Sequence, residues 1–399
     1  MGEERIGYVL KVARALHGYG YAAHRLEEVL GATAQRLGLE AQFFSTPTSI
    51  FAAFGPQEDQ RTYLLRVEPG DTDLARLADV DRVTLRVIRG ELSVAEGSTA
   101  IDDIASAAPL YSPPLTTIAF GVASACAAVF LGGGLPEAAL AGALGIVTGL
   151  LALSISRIPA VARIFEPLAA LIATVIATGV ATRVTPLSVS ITVLAGLIVF
   201  IPGLTLTVAM TELATRHLVS GTARISSALL LFVTIVFGVA LGAKVGQLAF
   251  GSPPAVLPVA LPAWGVLLAL VLAPLAFVVL LRAHPSDAGW ILAAGWLAFT
   301  GARMGATLLG AEVGAFSGAL AVGIAGNLYA LLRDRPSQVL LVPGVLLLVP
   351  GSFGFRSVSA LVAREVVSGV ETAFTMIFIA TAIVAGLLVA NVVVPKRRA

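Results

Sequence analysis

The chain of 399 residues is 57% hydrophobic and only 13% charged, with a mean hydropathy of +0.92. These values exclude a soluble globular protein of this length and indicate a polytopic α-helical membrane protein. Charge is concentrated near the start: residues 1–113 carry 11 basic and 16 acidic side chains, a net charge of −5, whereas residues 114–399 carry 15 and 8, a net charge of +7. We therefore expect a water-facing domain over 1–113 that precedes a membrane domain.

The first 113 residues have the pattern of a small α+β domain. Two helices are predicted over 5–37, and the alternating segments EAQFFSTPTSIFAAF and QRTYLLRV predict strands with a turn at Thr46 and Pro47. Helical spacing follows a capping Thr or Asp in TDLARLADVDRVTLRVIRG, and 93–107 predicts a further short helix. The N-terminus contains acidic residues and lacks an apolar core before a small-residue cleavage site. It does not resemble a signal peptide, so we expect this domain in the cytoplasm.

Ten apolar segments of spanning length follow. They lie near 115–133, 137–155, 166–183, 187–203, 225–248, 258–281, 288–308, 311–332, 338–352 and 371–394. We group them into two sets of five, over 114–255 and 256–399. With the N-terminus inside, the inner connections hold most of the Lys and Arg, including Arg157, Arg163 and Lys396. This excess predicts that both termini are cytoplasmic.

Two segments of the membrane part are similar: IPGLTLTVAMTELATRHLVSG over 201–221 and VPGSFGFRSVSALVAREVVSG over 349–369. Aligning 202–221 with 350–369 gives seven identities at 20 positions without a gap, including Pro-Gly, an arginine and Val-Ser-Gly. Each copy follows the fourth span of its set. Because five is an odd number, the second set must enter the membrane upside down, which predicts two inverted repeats as in many secondary transporters. The alternative is a chance similarity between two apolar segments.

The shared Pro-Gly pair predicts a broken helix, because proline lacks an N–H donor and glycine tolerates almost any φ. A break inside a bilayer frees backbone groups, and the start of the following half-helix favours an anion such as a carboxylate. We predict two substrate-binding half-sites near the membrane midplane, over 202–207 and 350–356. Their residues are Pro202, Gly203, Thr205 and Thr207 in one copy, and Pro350, Gly351, Ser352 and Arg356 in the other. The alternative is that each Pro-Gly pair only ends a helix at the membrane surface.

Ionisable and amide side chains extend these candidate sites. Arg216 and Arg364, which are equivalent in the two copies, can bind a carboxylate in bidentate geometry or cap the half-helix. Glu212 can accept an ammonium group, and Asn327 can contact substrate or bond a neighbouring helix. The candidate proton-coupling residues are Glu212, His217, Glu365 and Glu371. Each of them can instead lie in water at the interface.

The sequence resembles the bacterial threonine/serine exporter family over nearly its whole length. The resemblance rests on GYGYAAHRLEEVL and LGLEAQFFSTPTSIF in the leading domain, on PGLTLTVAMTELATRHLVSGTARISSAL at the fourth and fifth spans, and on LVPGVLLLVPGSFGF at the ninth. It implies a cytoplasmic domain joined to ten spans in the bacterial cytoplasmic membrane. It also implies export of small hydroxy amino acids, driven by the proton gradient, and it transfers no catalytic residues.

Two other functions stay open at this stage. Family relatives split into two polypeptides near position 255 are associated with succinate export, and a dicarboxylate would suit Arg216 together with Arg364. In the other interpretation the leading domain is an enzyme or sensor that the spans anchor. No GxxxxGK[ST] phosphate loop occurs, so an ATP-driven pump would need a separate subunit. We expect no metal, cofactor or nucleic acid; the partners are a small amino acid or carboxylate, protons and the lipid bilayer, and homo-oligomerisation stays open.

Overall fold

The computed structural model describes residues 2–68, 70–155 and 164–395. Its first part, which we call the leading module, contains four helices and three strands. These are α1 (Gly2–Gly18), α2 (Ala23–Arg36), β1 (Ala41–Thr46), β2 (Ser49–Phe54), β3 (Arg61–Arg66), α3 (Leu74–Ile88) and α4 (Val94–Ser106). The strands pair antiparallel in the order β1-β2-β3, and they coincide with the two alternating segments of the sequence.

The core of the leading module lies between its helices and one face of the sheet. Val12 and Leu16 of α1 are fully buried against Ile50 of β2, because their helical spacing places them on one face. Two side chains set the starts of the later helices. Asp73 accepts a hydrogen bond from the backbone at the start of α3, and Ser93 forms a capping box at the start of α4.

Apolar helices make up the rest of the described chain. In the first set they are α5 (Pro113–Phe130), α6 (Leu135–Ile155), α7 (Phe165–Arg183), α8 (Val189–Gly196), α9 (Gly203–Ala214) and α10 (Leu218–Phe250). In the second set they are α11 (Ala263–Leu280), α12 (Ala288–Leu309), α13 (Ala311–Arg333), α14 (Gln338–Leu346), α15 (Gly351–Val362) and α16 (Val366–Val393). We call these helices together the bundle.

Among the described residues, nine helical segments are long and apolar enough to cross a bilayer, with α14 and α15 counted together as Gln338–Val362. A bent pair, Val189–Gly196 with Ile198–Ala214, turns by 56° at its break, and counting it as one span raises the number to ten. A polytopic membrane protein is therefore confirmed. The fifth predicted span, 225–248, is longer than expected because α10 already begins at Leu218. Arg157, Arg163 and Lys396, which contribute to the charge argument, lie outside the described residues.

The two similar segments adopt the same backbone geometry. Pro202 and Pro350 are the N-cap residues of α9 and α15, with φ of −78° and −79°. Arg216 and Arg364 occupy the tight turns that follow, and both have a left-handed φ, 67° and 65°. Because few residues other than glycine adopt this conformation, its occurrence at both equivalent positions argues against a chance similarity.

Close helix packing explains two further identities between the copies. A Cβ atom added to Gly221 would lie 2.7 Å from Cγ of Leu213, and one added to Gly369 would lie 2.6 Å from Cγ of Leu361. In each helical hairpin, therefore, the equivalent leucine packs on the equivalent glycine. The repeated residues mark turn and contact positions of the backbone, and they need not bind substrate to be repeated.

The two hairpins lie at opposite ends of the bundle. The turn between α9 and α10 contacts the leading module, through a contact between His217 and Glu27. The turn between α15 and α16 lies near Gln247, close to the other end of α10, since Gln247 and Glu365 line one cavity. At 1.5 Å per residue, about 45 Å of helix separates Arg216 from Gln247. We call these the module end and the far end.

Candidate functional site

The two Pro-Gly breaks meet inside the bundle. A Cβ atom added to Gly203 would lie 3.1 Å from Cα and 3.2 Å from N of Gly351, and 2.1 Å from Cγ1 of Val349. A Cβ atom added to Gly351 would lie 2.8 Å from Cγ2 of Ile201. Only glycine permits this approach of two backbones. The predicted half-sites are therefore neighbours, about half-way between the two ends.

Hydroxyl groups near the breaks differ in what they bind. Thr207 is buried, and its Oγ1 donates to the carbonyl oxygen of Gly203 at 3.1 Å. This bond stays within α9, so the Thr207 hydroxyl serves the helix backbone. Thr205 and Ser352 are half-buried beside the same breaks. These two hydroxyls are the better placed candidates for a polar solute.

A cavity of about 880 Å³ lies at the far end of the bundle. α7, α8 and α10 of the first set form one wall, and α15 and α16 of the second set form the other. The first set contributes the polar side chains of Thr174, Thr178, Ser188, Ser190 and Gln247. The second set contributes Arg356, Ser359, Glu365, Ser368 and Thr372. Both sets thus form the cavity jointly. Its lining is mostly apolar with interspersed hydroxyl groups, of which those of Thr174 and Thr372 donate to carbonyl oxygens of their own helices.

Two charges of opposite sign face this cavity. Arg356 projects from α15 and Glu365 is the N-cap residue of α16, and both side chains are exposed. Within the described part of the chain, neither forms an ion pair within 4.0 Å. A guanidinium binds carboxylates well, and a carboxylate accepts hydrogen bonds from an ammonium group. The cavity therefore offers one group that can bind a carboxylate and one that can bind an ammonium group.

Two other candidate residues lie at the module end, away from this cavity. Glu212 is fully buried and accepts hydrogen bonds from Nε of Arg224, at 3.0 and 3.1 Å to its two oxygens, and from the backbone N–H of Ala23, at 2.9 Å. His217 lies 3.3 Å from a carboxylate oxygen of Glu27. Both side chains bind the leading module, a role that the sequence analysis does not anticipate.

The remaining candidates lie outside the cavity lining. Arg216 and Arg364 are exposed in their turns at opposite ends, so this pair cannot hold one small dicarboxylate. Glu371 is exposed near the start of α16. Asn327 is buried and its amide donates to Asn391 at 3.0 Å. The sequence left two interpretations of Asn327, contact with substrate or a bond to a neighbouring helix. The structure shows the bond, which joins α13 to α16.

Comparison with known families assigns both halves of the chain to one group. A family described as "Putative threonine/serine exporter" matches residues 7–246, and one described as "Threonine/Serine exporter, ThrE" matches residues 266–393. The chain belongs to the threonine/serine exporter family. No solved structure matches this family member.

Several curated relatives of this exporter-family chain are fungal proteins. An uncharacterized protein of Schizosaccharomyces pombe is 26% identical over 98% of this chain and 51% of its own length. Pheromone-regulated membrane protein 10 of Yarrowia lipolytica is 25% identical over 90% of this chain and 30% of its own length. The protein of the same name from Pichia sorbitophila is 26% identical over 60% of this chain and 25% of its own length. The chain therefore spans about half or less of the relatives that it matches.

Two buried acids of this exporter-family chain were not predicted from the sequence as functional residues. Glu137 near the start of α6 accepts hydrogen bonds from the backbone N–H groups of Gly134 and Ser188, both at 2.9 Å. Asp287 before α12 accepts two hydrogen bonds from Arg335, at 2.7 and 2.8 Å. Each acid thus links the second helix of its set to the start of the broken one. The only sequence signal is an acid at a helix start, which is common in helices of every kind.

Proposed function

We propose that this protein exports small hydroxy amino acids, such as threonine and serine, across the membrane in exchange for protons. The observation that carries the proposal is the far-end cavity, in which Arg356 and Glu365 face the same space among hydroxyl-bearing side chains. In this arrangement the guanidinium binds the substrate carboxylate and the glutamate binds its ammonium group. The hydroxyls of Ser359 and Ser368 then select for a substrate that carries its own hydroxyl group.

The same chemistry disfavours a dicarboxylate. Succinate would need two cationic groups within one small site, and the cavity lining offers Arg356 beside the negative charge of Glu365. A second carboxylate near Glu365 would be repelled, and a like-charge juxtaposition costs binding energy. An amino acid avoids this repulsion because its ammonium group neutralises the glutamate.

We further propose that the two sets of helices are inverted repeats and that they alternate in opening to the two sides. Support comes from the left-handed φ shared by Arg216 and Arg364, and from the placement of the two hairpins at opposite ends. The contact between Gly203 and Gly351 gives the two sets a common pivot. Under this proposal the leading module is cytoplasmic and the far end faces outward.

We propose Glu365 as the residue that couples transport to protons. It is the one acid among the cavity-lining residues of the described chain, so substrate and proton compete for the same carboxylate. A proton arriving from outside would neutralise Glu365 and weaken its hold on the ammonium group of a substrate delivered to the far end. This competition releases substrate outward when the outside is more acidic.

The test is export from liposomes. Purified protein is reconstituted, the vesicles are loaded with labelled threonine, serine or succinate, and efflux is followed under an imposed pH gradient. We expect threonine and serine efflux above the leak of protein-free vesicles, with little succinate efflux. Arg356→Gln and Glu365→Gln should each reduce transport about tenfold or more, since each removes a charge-assisted hydrogen bond worth about 1.5–3 kcal/mol.

The matched control is Arg183→Gln. Arg183 ends α7 at the same end of the bundle, is exposed, and is not among the cavity-lining residues of the described chain. The Arg183→Gln variant should export threonine at the rate of the parent protein. Efflux equal to that of empty vesicles would refute the exporter, and preferred efflux of succinate would refute the amino-acid substrate.

A further inference from the structure

The leading module contacts the bundle along two walls at the module end. The first wall is the hairpin of α9 and α10, where Glu212 accepts from the N–H of Ala23 at 2.9 Å and His217 lies 3.3 Å from Glu27. Ala23 is the first residue of α2, so the start of this helix points at the Glu212 carboxylate. An anion at that position is favoured by the helix dipole, which stabilises the docked module.

The second wall is formed by the second set. The backbone N–H of Leu74, at the start of α3, donates to the carbonyl oxygen of Leu281 at 3.0 Å. One turn further along α3, Ala78 packs in one cluster with Val339 and Leu340 of α14. The module therefore touches both broken elements, α9 through α2 and α14 through α3.

These two walls are the repeat equivalents of the walls of the far-end cavity. Subtracting the repeat offset of 148 from the cavity residues of α15, of α16 and of the turn between them gives Thr207, Val208, Thr211, Glu212, Thr215, His217, Ser220 and Arg224. Adding 148 to Ile191 of the cavity gives Val339. Three of these equivalent positions, Glu212, His217 and Val339, thus contact the leading module at the module end.

The module end also carries one acid and one base, at other positions than the far end does, since the repeat equivalents of Arg356 and Glu365 are Val208 and His217. The far-end cavity has Arg356 and Glu365, and the equivalent region at the module end has Arg224 and Glu212, joined at 3.0 Å. Glu212 is fully buried, and Arg224 keeps one fifth of its side chain exposed. This acid and this base offer the same two ligands, a carboxylate for an ammonium group and a guanidinium for a carboxylate.

We infer that the module-end residues Thr211, Glu212, Thr215 and Arg224 form a second binding site for the same zwitterionic substrate, which we call the inner vestibule. The leading module is the gate that covers it. This inference rests on the proposed exporter function. In the structure the far end is open and the module end is covered, as one state of an alternating carrier requires. Undocking of α2 from Glu212 opens the inner vestibule, and substrate then takes the place of the Ala23 N–H on that carboxylate.

A reversible tether between module and bundle tests the gate. Arg89, the C-cap residue of α3, and Asp334, which follows α13, form an exposed ion pair at 3.1 Å across the interface, outside the vestibule. In a Cys126→Ala background, Arg89→Cys with Asp334→Cys is joined by a short, reducible bifunctional thiol reagent after reconstitution. We expect threonine efflux to fall at least tenfold and to return on reduction.

The matched control is a tether within the module. Lys11→Cys with Asp102→Cys replaces an ion pair of 2.6 Å between α1 and α4 and receives the same reagent. It should leave efflux unchanged, because it does not restrict docking. Full efflux from protein that carries the tether between positions 89 and 334 would refute the gate and leave the exporter function unaffected. Loss of efflux in the untethered parent would instead refute the exporter function.

Thiol labelling provides a readout that does not depend on flux. Thr211→Cys, in the inner vestibule, should react with an impermeant maleimide from the module side in untethered protein with threonine present, and at least tenfold more slowly in tethered protein. Its repeat equivalent, Ser359→Cys, should stay reactive from the far side in both. Equal labelling of Thr211→Cys with and without the tether would show that the module does not cover the vestibule.

Discussion

The contact between the two Pro-Gly breaks predicts that Gly203→Ala destabilises the protein. The added methyl group would lie 2.1 Å from Cγ1 of Val349 and 3.1 Å from Cα of Gly351. Ordinary contacts between carbon atoms lie at about 3.5–4.0 Å, so Val349 has to move by more than about 1 Å while a backbone blocks the other side. Overpacking of this kind costs about 1–3 kcal/mol. We expect a loss of about 2 kcal/mol in the free energy of unfolding, measured by denaturation in mixed detergent micelles.

Gly289→Ala in α12 is the matched control, because a Cβ atom there meets nothing within 4 Å. It should change the free energy of unfolding by no more than about 0.5 kcal/mol. Val349→Ala removes the atom that is closest to the new methyl group, so in a double-mutant cycle it should recover about 1 kcal/mol of the loss. If Gly203→Ala is as stable as Gly289→Ala and does not couple to Val349→Ala, the two breaks do not pack as described.

Three further predictions concern single side chains. Arg216→Gly should be as stable as the parent, whereas Arg216→Val should lose about 1–2 kcal/mol in the free energy of unfolding, because a β-branched residue tolerates a left-handed φ poorly. Equal stability of the two variants in the same denaturation assay would contradict this. Glu137→Gln should lower the free energy of unfolding by about 1–3 kcal/mol, because the N–H group of either Gly134 or Ser188 loses its acceptor. An unchanged midpoint of thermal unfolding would refute this. Burial lowers the pKa of His17, although its bond to Thr46 opposes the shift. The unfolded state therefore takes up the proton first, and the protection of the α1 amides, taken relative to their intrinsic exchange rate at each pH, should decrease as pH falls below about 6.5. This decrease should be absent in His17→Gln.

Much of the architecture follows from local sequence signals. The length of an apolar run reflects the thickness of a bilayer, so the spans can be placed from composition alone. Pro-Gly predicts the breaks because both residues act on the backbone of their own segment. The left-handed arginines are also local, yet no sequence rule assigns a positive φ to Arg216, because arginine seldom adopts it.

The candidate site was predicted less completely than the fold. Arg356 and Glu365 follow the second break in the sequence and do line the far-end cavity. The hydroxyl groups of Thr174 and Ser188 on the opposite wall were missed, because serine and threonine within apolar helices are common and carry no distinctive spacing. Glu212 was predicted as a ligand, but its partner Ala23 lies 189 positions earlier in the chain, beyond any periodic pattern.

The sequence by itself determined that this is a membrane protein of the threonine/serine exporter family with two similar, broken elements. Those properties depend on composition and on the backbone chemistry of adjacent residues. Only the tertiary structure decided that Gly203 touches Gly351, that Arg356 and Glu365 face one cavity, and that the leading module covers the equivalent positions at the other end. Such contacts join segments that are far apart in the chain, and the packing of complete helices selects them.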